Sequence, residues 1–538
     1  MLLSTTPRGK SLAATLFAGF IALSTAFVAP AHAQVTAFMQ SVAEASARDK
    51  SIAQFYQANG YSPIWTGRGG RDRARRQALL DAFSNADNHG LPQAAYDTEL
   101  LKANLRRVKS ERDLGRIEVE LSKLFLAYAR DVQTGILVPG RIDNGIVRKV
   151  PLRSRLDLLT NFAKSSPAGY IKSLAPSSPE YRRLMKQKLT MERLLAKGGW
   201  GAKVPGKKLE PGQSGNSVVA LRNRLIKMGY LRRNASVKYD ANLQKAVQQF
   251  QLAHGLNPDG VAGAGTLNEV NVSPERRLAS IIVAMERERW TNMERGKRHI
   301  WVNLTDFTAK IIDNGKVTFQ TRSVVGANSK DRRSPEFSDV MEHMVVNPTW
   351  NVPRSIAIKE YLPLMQKNPN AAGHLNLIDQ SGRIVSRADL DFTQYTEVDF
   401  PFDLKQPPSR RNALGLVKFM FPNKHNIYLH DTPAKNLFAR ESRAYSHGCI
   451  RLRDPFDFAY ALLSKQTRNP EELFSSILAT GVENVVPLEK QVPVHLVYRT
   501  AIAPPKGNMN YRRDIYGRDA RIFKALQKAG VVLRAVQS

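Results

Sequence analysis

Cysteine is almost missing from this chain: a single residue, Cys449, occurs among 538. No intramolecular disulfide can form, so the fold has to be held by burial. Acidic side chains are also short, 47 Asp and Glu against 80 Lys and Arg. The formal charge of +33 favours polyanionic partners without naming one. Past residue 33 no run of 18 or more apolar residues occurs, which excludes a multi-span membrane protein. HExxH and CxxC spacings are absent, and with them the usual metal-ligand signatures. What remains, 42% hydrophobic and 24% charged, excludes disorder and collagen, and the length fits about three domains.

At the start, Arg8 and Lys10 precede an apolar run from Leu12 to Val28 that ends in Ala31-His32-Ala33. This is the pattern of a cleavable secretory signal over residues 1–33. Read instead as an uncleaved anchor, the run is slightly short and is diluted by Gly19, Ser24 and Thr25. The expectation is a soluble protein in an exported compartment, where nucleic acid is not a partner. Cell-wall polymers are the expected anion, with a weak association to anionic membrane surfaces as a further reading.

Residues 34–200 read as a helical N-terminal domain. Leu79, Leu80, Ala82, Phe83 and Ala86 lie on one face, and Leu121, Leu124, Phe125 and Tyr128 on another. The breakers are His89-Gly90-Leu91-Pro92 and Val138-Pro139-Gly140. Arg71, Arg73, Arg75 and Arg76 form a basic run that reads as a solvated face or as a polyanion contact. A Gly- and Lys-rich linker, Gly198 to Lys208, leads into a three-helix unit over 210–270. Its first helix carries Val218, Leu221, Leu225 and Met228 and stops at Gly229. Its second starts at Asp240 with Leu243, Val247 and Phe250, and a short third begins at Thr266. The stretches PGQSGNSVVALRNRLIKMGYL and AVQQFQLAHGLNPDGVAGAGTL resemble the peptidoglycan-binding repeat. They depart from it at Gln213, where an acidic residue is common, and at Ala264, where Pro is common. A helical spacer without ligand is the alternative.

From 275 to 500 the chain is expected to form a β-rich domain, entered through the helical LASIIVAMERERW. His299 to Leu304 and Ala309 to Asp313 read as strands, and Asn314-Gly315 as a hairpin turn into Val317-Thr318-Phe319. Met344 to Val346, Leu416 to Phe421 and Ile427 to His430 are further strand-like runs. Between them, 356–407 is too long for a plain connection, and it reads either as a lid or as an excursion with its own small core. Residues 501–538 form a C-terminal extension. The fold class is therefore α+β and multidomain.

Cys449 stands in Tyr445-Ser446-His447-Gly448-Cys449-Ile450-Arg451-Leu452, and His430 ends the strand IYLH upstream. A thiol becomes an effective nucleophile when a base takes its proton or positive charge lowers its pKa. His430 can face Cys449, and Gly448 allows the amides of Gly448 and Cys449 to approach a developing oxyanion. A zinc set of His425, His430, His447 and Cys449 is the rival, with no supporting motif. Arg451 is either a clamp for a substrate carboxylate or a strut for the loop, and Trp350 either lines the cleft or plugs the core.

NIYLHDTPAKNLF followed by RAYSHGCIRL closely resembles the catalytic core of the L,D-transpeptidases, and VNPTWNVPRSI and NALGLVKFMFPN resemble stretches of the large periplasmic members. With the helical N-terminal region, the repeat, VHLVYRT and RRDIYGRDA, the resemblance spans nearly all of the chain after residue 33. It implies that Cys449 is the nucleophile and His430 the general base, oriented by the backbone carbonyl of Asp431. Ser446, His447 and Gly448 then shape the oxyanion loop, and Tyr445, Arg451 and Trp350 are candidates for substrate contact. The implied activity is a periplasmic transferase needing no cofactor or metal. It would form 3-3 cross-links between peptidoglycan tetrapeptide stems through a cysteine thioester, with carbapenems as covalent inhibitors. The alternatives are an L,D-carboxypeptidase, a lipoprotein-attaching variant, or a non-catalytic wall-binding scaffold.

Overall fold

In the computed structural model, which describes residues 36–533, apolar side chains gather into five cores. The expected signal segment lies outside the described residues. The first core is helical. Gly70–Ser84 buries Leu79, Ala82 and Phe83 against Leu121, Phe125 and Tyr128 of the long helix Glu111–Thr134. That helix starts at a capping box in which Ser110 and Asp113 satisfy each other's backbone N–H. Val138-Pro139-Gly140, read as a breaker, instead opens the one-turn helix Pro139–Ile142, because Pro is already set for the first helical position. The basic run divides: Arg71 and Arg73 are exposed, while Arg75 is buried and donates to the carbonyls of Ile64 and Ala163.

Asn216–Lys227, Ala241–Ala253 and Ala264–Val270 enclose a second small core around Leu221, Leu225, Val247 and Phe250. This unit is docked on the rest of the chain. Arg512 donates to the Ala253 carbonyl at 2.7 Å, and the Asn257 N–H donates to the Glu441 carboxylate at 2.9 Å.

The helix Pro274–Trp290 is the hub between the domains. Its Glu286-Arg287-Glu288-Arg289 segment, polar in sequence, is wholly buried. Such charges are tolerable only when paired. Glu286 binds Arg289 at 2.6 Å, Arg287 binds Glu336 at 2.5 Å, and Glu288 binds Arg499 at 2.5 Å.

The β-rich region comprises strands β1 (Arg298–Asn303), β2 (Thr308–Asp313), β3 (Lys316–Gly326), β4 (Phe337–Val346), β5 (Trp350–Asn351), β6 (Asn376–Ile378), β7 (Ile384–Val385), β8 (Asp403–Gln406), β9 (Val417–Met420), β10 (Leu429–His430), β11 (Ala444–Ser446), β12 (Ile450–Leu452) and β13 (Asn484–Val497). Asn314 and Gly315, at φ of +50° and +78°, make the expected tight turn. Nine strands pair in the order β11-β3-β12-β10-β9-β4-β13-β1-β2, and β2 also pairs with β3, so the ladder closes on itself as a barrel. Strand-like runs in the sequence carry no sign of that closure. The helix Pro455–Leu463 covers the barrel, with Phe458 edge-on to Phe419 at 4.8 Å.

The inserted segment has its own core of Trp350, Leu362, Met365, Leu377, Phe400 and Leu404 beneath the sheet β5-β8-β6-β7. Its Glu360 also meets His447, in the loop before Cys449, at 2.6 Å.

Leu429 is fully buried and its neighbour His430 is a candidate base, so the barrel core sets the position of this strand. Leu429→Ala is expected to cost about 2–5 kcal/mol of local stability, seen as a lowered melting temperature of the catalytic domain. An unchanged melting temperature would show that the strand is held by other means.

Candidate active site

Strands β10 and β12 run parallel, with Leu429 opposite Ile450 and His430 opposite Arg451. Side chains alternate along extended chain, so Leu429, Ile450 and Leu452 point into the barrel core, where all three are fully buried. The alternate positions, Tyr428, His430, Cys449 and Arg451, therefore share the other face. Tyr428 and His430 meet edge to face at 5.6 Å, and the Tyr428 phenol stands against the Cys449 thiol and favours its anion. Tyr428 was not among the residues singled out from sequence. The signal was there, since it lies two positions before His430 on the same strand.

The electrostatics of this face decide its resting state. Burial pushes the Cys449 thiol up to about 11, with Tyr428 and Arg451 opposing the shift. Burial also pushes His430 down to about 3, aided by the Arg451 charge and opposed by the carbonyls of Asp431 and Leu414. At neutral pH the pair is therefore thiol and neutral imidazole, not thiolate and imidazolium. The Asp431 carbonyl favours a proton on the ring, yet Nδ1 of His430 is buried without a partner of full hydrogen-bond geometry. Cys449 Sγ lies 3.5 Å from the Asn426 carbonyl and makes no hydrogen bond to His430 in this state. The Asp431 carboxylate braces the preceding turn, accepting from Leu416 N–H at 3.0 Å and from Lys435 at 2.6 Å.

The catalytic loop is stapled from several sides. Ser446 Oγ accepts from Gly448 N–H at 3.1 Å and donates to the Cys449 carbonyl at 2.5 Å. Of the two amides expected at an oxyanion, Gly448's is thus engaged, while Cys449's has no partner among the described residues. Gly448 sits at φ +122°, and a Cβ there would meet Ile427 at 3.1 Å, so both conformation and space require glycine. Buried Ser334 donates to the Gly448 carbonyl at 2.5 Å and so fixes the peptide plane that carries the Cys449 N–H. Tyr516, after the barrel, donates to the Gly326 carbonyl at 2.5 Å, and Arg518 donates to the Ser334 carbonyl at 3.0 Å. The loop therefore leans on residues of the C-terminal segment, a dependence the sequence did not reveal.

His447 faces away from the cluster. Its Nε2 is 2.6 Å from Glu360, which also binds Arg332 at 2.5 Å. Glu360 belongs to a π-helical turn, Ala357–Tyr361, of the insertion, so this carboxylate latches the insertion to the catalytic loop. His425 packs on Phe337 at 5.4 Å, and among the described residues no three His, Cys, Asp or Glu side chains stand close enough to hold a metal. Trp350 lies in the insertion's own core. Tyr445 is exposed, with the Arg440 guanidinium 4.9 Å over its ring. The Arg451 side chain makes no hydrogen bond or ion pair among the described residues, and its Nε is buried and unsatisfied. It therefore does not strut the loop through backbone carbonyls.

Residues 297–480 match the family model described as the L,D-transpeptidase catalytic domain, residues 214–269 one described as a "Putative peptidoglycan binding domain", and residues 50–187 one described as a "Scaffold domain". A "Putative L,D-transpeptidase" of Haemophilus influenzae is 33% identical over 242 residues, covering 45% of this chain and 48% of that protein. The match thus spans about half the length of that relative. An L,D-transpeptidase structure from Xylanimonas cellulosilytica aligns at 13% identity and a TM-score of 0.17, covering 55% of this chain and 98% of its own. One from Stackebrandtia nassauensis aligns at 14% and 0.22, covering 55% and 97%.

The neutral resting pair has a measurable consequence. Alkylation of Cys449 by iodoacetamide is expected to be slow at pH 7 and to climb with a midpoint near 11, because burial raises the thiol pKa. A midpoint at or below 7 would mean that the thiolate is already formed at rest.

Proposed function

We propose that this chain, which carries an L,D-transpeptidase catalytic domain and a peptidoglycan-binding domain, is a cysteine acyltransferase that forms 3-3 cross-links in the periplasm. The observation that carries the proposal is the common face of Tyr428, His430, Cys449 and Arg451, set by the β10–β12 register. His430 takes the Sγ proton of Cys449 as sulfur attacks the carbonyl carbon of the peptide bond between the L-centre of the third stem residue and the terminal D-residue. The free Cys449 N–H donates to the tetrahedral oxyanion. Protonated His430 returns its proton to the leaving amine, the C–N bond breaks, and a thioester remains. The side-chain amine of a diamino acid on a neighbouring stem attacks the thioester. His430 accepts the amine's proton and returns it to the departing sulfur, which restores the thiol. Water in place of the amine gives an L,D-carboxypeptidase, and a lipoprotein lysine gives attachment to the wall.

A neutral base-and-thiol pair suits this sequence, because the thiol is deprotonated only as it attacks. General-base assistance of this kind is worth about 10² to 10⁴ in rate. Arg451, unpaired and next to the thiol, is assigned as the clamp for a substrate carboxylate, a match for its planar fork.

Purified protein incubated with tetrapeptide-containing sacculi tests the reading through muropeptide analysis. The wild type is expected to accumulate 3-3 linked dimers, and Cys449→Ala to make none while keeping its fold. His430→Ala is expected to slow acylation of Cys449 by a carbapenem by about 10² or more, whereas His447→Ala should be partial, since its ring bonds Glu360 of the insertion. Equal losses at the two histidines, together with inhibition by chelators, would favour a metal site instead. Unaltered muropeptides with the wild type would leave a wall-binding scaffold.

A further inference from the structure

The exposed side of the module's first helix is the floor of a trough of about 780 Å³. Its buried stripe, Val218, Leu221, Arg222 and Leu225, faces the module core and its neighbours. The opposite stripe, Asn216, Val219, Ala220, Asn223, Ile226 and Lys227, recurs at the same helical spacing and lines the trough. One wall is the linker at Trp200 to Ala202, and the other is Arg233 and Asn234, after the helix. The linker wall is fixed in place. Buried Arg224 lies 5.6 Å over the Trp200 ring and donates to the Gly201 carbonyl at 3.0 Å and the Val270 carbonyl at 2.6 Å. A second hollow of about 340 Å³ shares Trp200, Gly201 and Arg224 and extends the trough past Lys203 and Asn271.

The chemistry of this surface is specific. No carboxylate lines the larger hollow. The side chains of Asn216, Asn223, Lys227 and Arg233 make no hydrogen bond or ion pair among the described residues, so two amides and two cations are free to serve a ligand. Between them Val219, Ala220 and Ile226 give a half-buried apolar strip. The alternation of apolar strip, amides and cations fits a polymer of acetamido sugars bearing short peptides that end in carboxylates. Ring C–H faces would lie on the strip, acetamido groups and hydroxyls on the asparagines, and carboxylates on Lys227 and Arg233.

We propose that this trough, between the linker and the first helix of the module, is where the chain holds a peptidoglycan strand at a distance from Cys449. The proposal rests on the peptidoglycan reading above and adds the place and the residues. Retention is measured with the full-length chain on isolated, protein-free sacculi. The double variant Lys227→Glu with Arg233→Glu is expected to weaken retention about tenfold or more. The charge-matched pair Lys238→Glu with Lys245→Glu, exposed elsewhere on the same module, should change it less than about threefold. Asn223→Trp, which fills the trough without altering charge, is expected to act like the first pair. Melting curves verify that each variant is folded, and Asn223→Trp still decides the matter if the charge reversal is not. Equal losses with both charge pairs would reduce the effect to net charge and overturn the trough, as would unchanged retention with Asn223→Trp. Failure of the wild-type chain itself to be retained would overturn the peptidoglycan reading, an outcome distinct from wild-type binding that survives every trough variant.

Discussion

Two residues of parallel pairing, Leu429 with Ile450 and His430 with Arg451, constrain everything that happens at the site. Because side chains alternate with period two, this register sends Leu429, Ile450 and Leu452 into the core and leaves Tyr428, His430, Cys449 and Arg451 together outside it. A slip of one position would turn Cys449 inward and expose leucine, so the barrel's hydrophobic packing specifies the arrangement without a hydrogen bond between thiol and imidazole. Parallel neighbours also require a crossover of a dozen or more residues. The segment from Asp431 to Cys449 supplies one, through the 3₁₀ turn Lys435–Ala439 and β11, which explains why His430 and Cys449 stand so far apart in sequence.

Strand register sets the face, but the loop after β11 needs its own restraint. That restraint comes from elsewhere in the chain: Ser334 holds the Gly448 carbonyl, Tyr516 holds Gly326, and Arg518 holds the Ser334 carbonyl and reaches Glu336. Glu336 in turn pairs with Arg287 of the hub helix. A buried carboxylate shared by two arginines costs desolvation that the pairing offsets, and removing one member would strand a charge in the interior. The catalytic loop is thus tied mechanically to the helix on which the N-terminal and C-terminal elements also pack. On the open side, the Glu360 latch is a far lighter restraint, because a half-exposed ion pair is weakened by solvent. The rigid side and the releasable side of the loop differ in burial rather than in kind of bond.

Periodicity made most of the helices legible. Val218, Leu221 and Leu225, or Leu121, Phe125 and Tyr128, could hardly pack any other way, and the Asn314-Gly315 turn carried its own backbone requirement. Cys449 and His430 were singled out by residue type and motif, and the β10–β12 register brings them to one face. Closure of the barrel was not legible: the Asn314-Gly315 turn announces the β2–β3 hairpin, but nothing local tells that β2 also pairs with β1 and β3 with β12, at opposite ends of the same sheet. Buried charge was misleading for a related reason. Arg75 read as part of a solvated run, and nothing in the helical stretch that ends at Trp290 marked Arg287 and Glu288 as buried, because their partners lie far away in sequence. Tyr428 was missed although its position on the strand face of His430 was implicit in the alternation.

Arg451 ties the electrostatics of the site to its proposed chemistry. Its charge lowers the proton affinity of His430 and favours the anion of Cys449, so at rest it stabilises the thiolate while weakening the base that must form it. Among the described residues no carboxylate pairs with it, in contrast to the paired arginines of the hub. A substrate carboxylate seated against the guanidinium removes the repulsion felt by an imidazolium at His430, and the base then strengthens as the site fills. Closure by the substrate also excludes water, which makes the neutral thiol and imidazole costly to ionise singly but not to ionise as a pair during attack. On this account the unpaired arginine makes general-base catalysis depend on occupancy, and an empty site keeps its only thiol protonated.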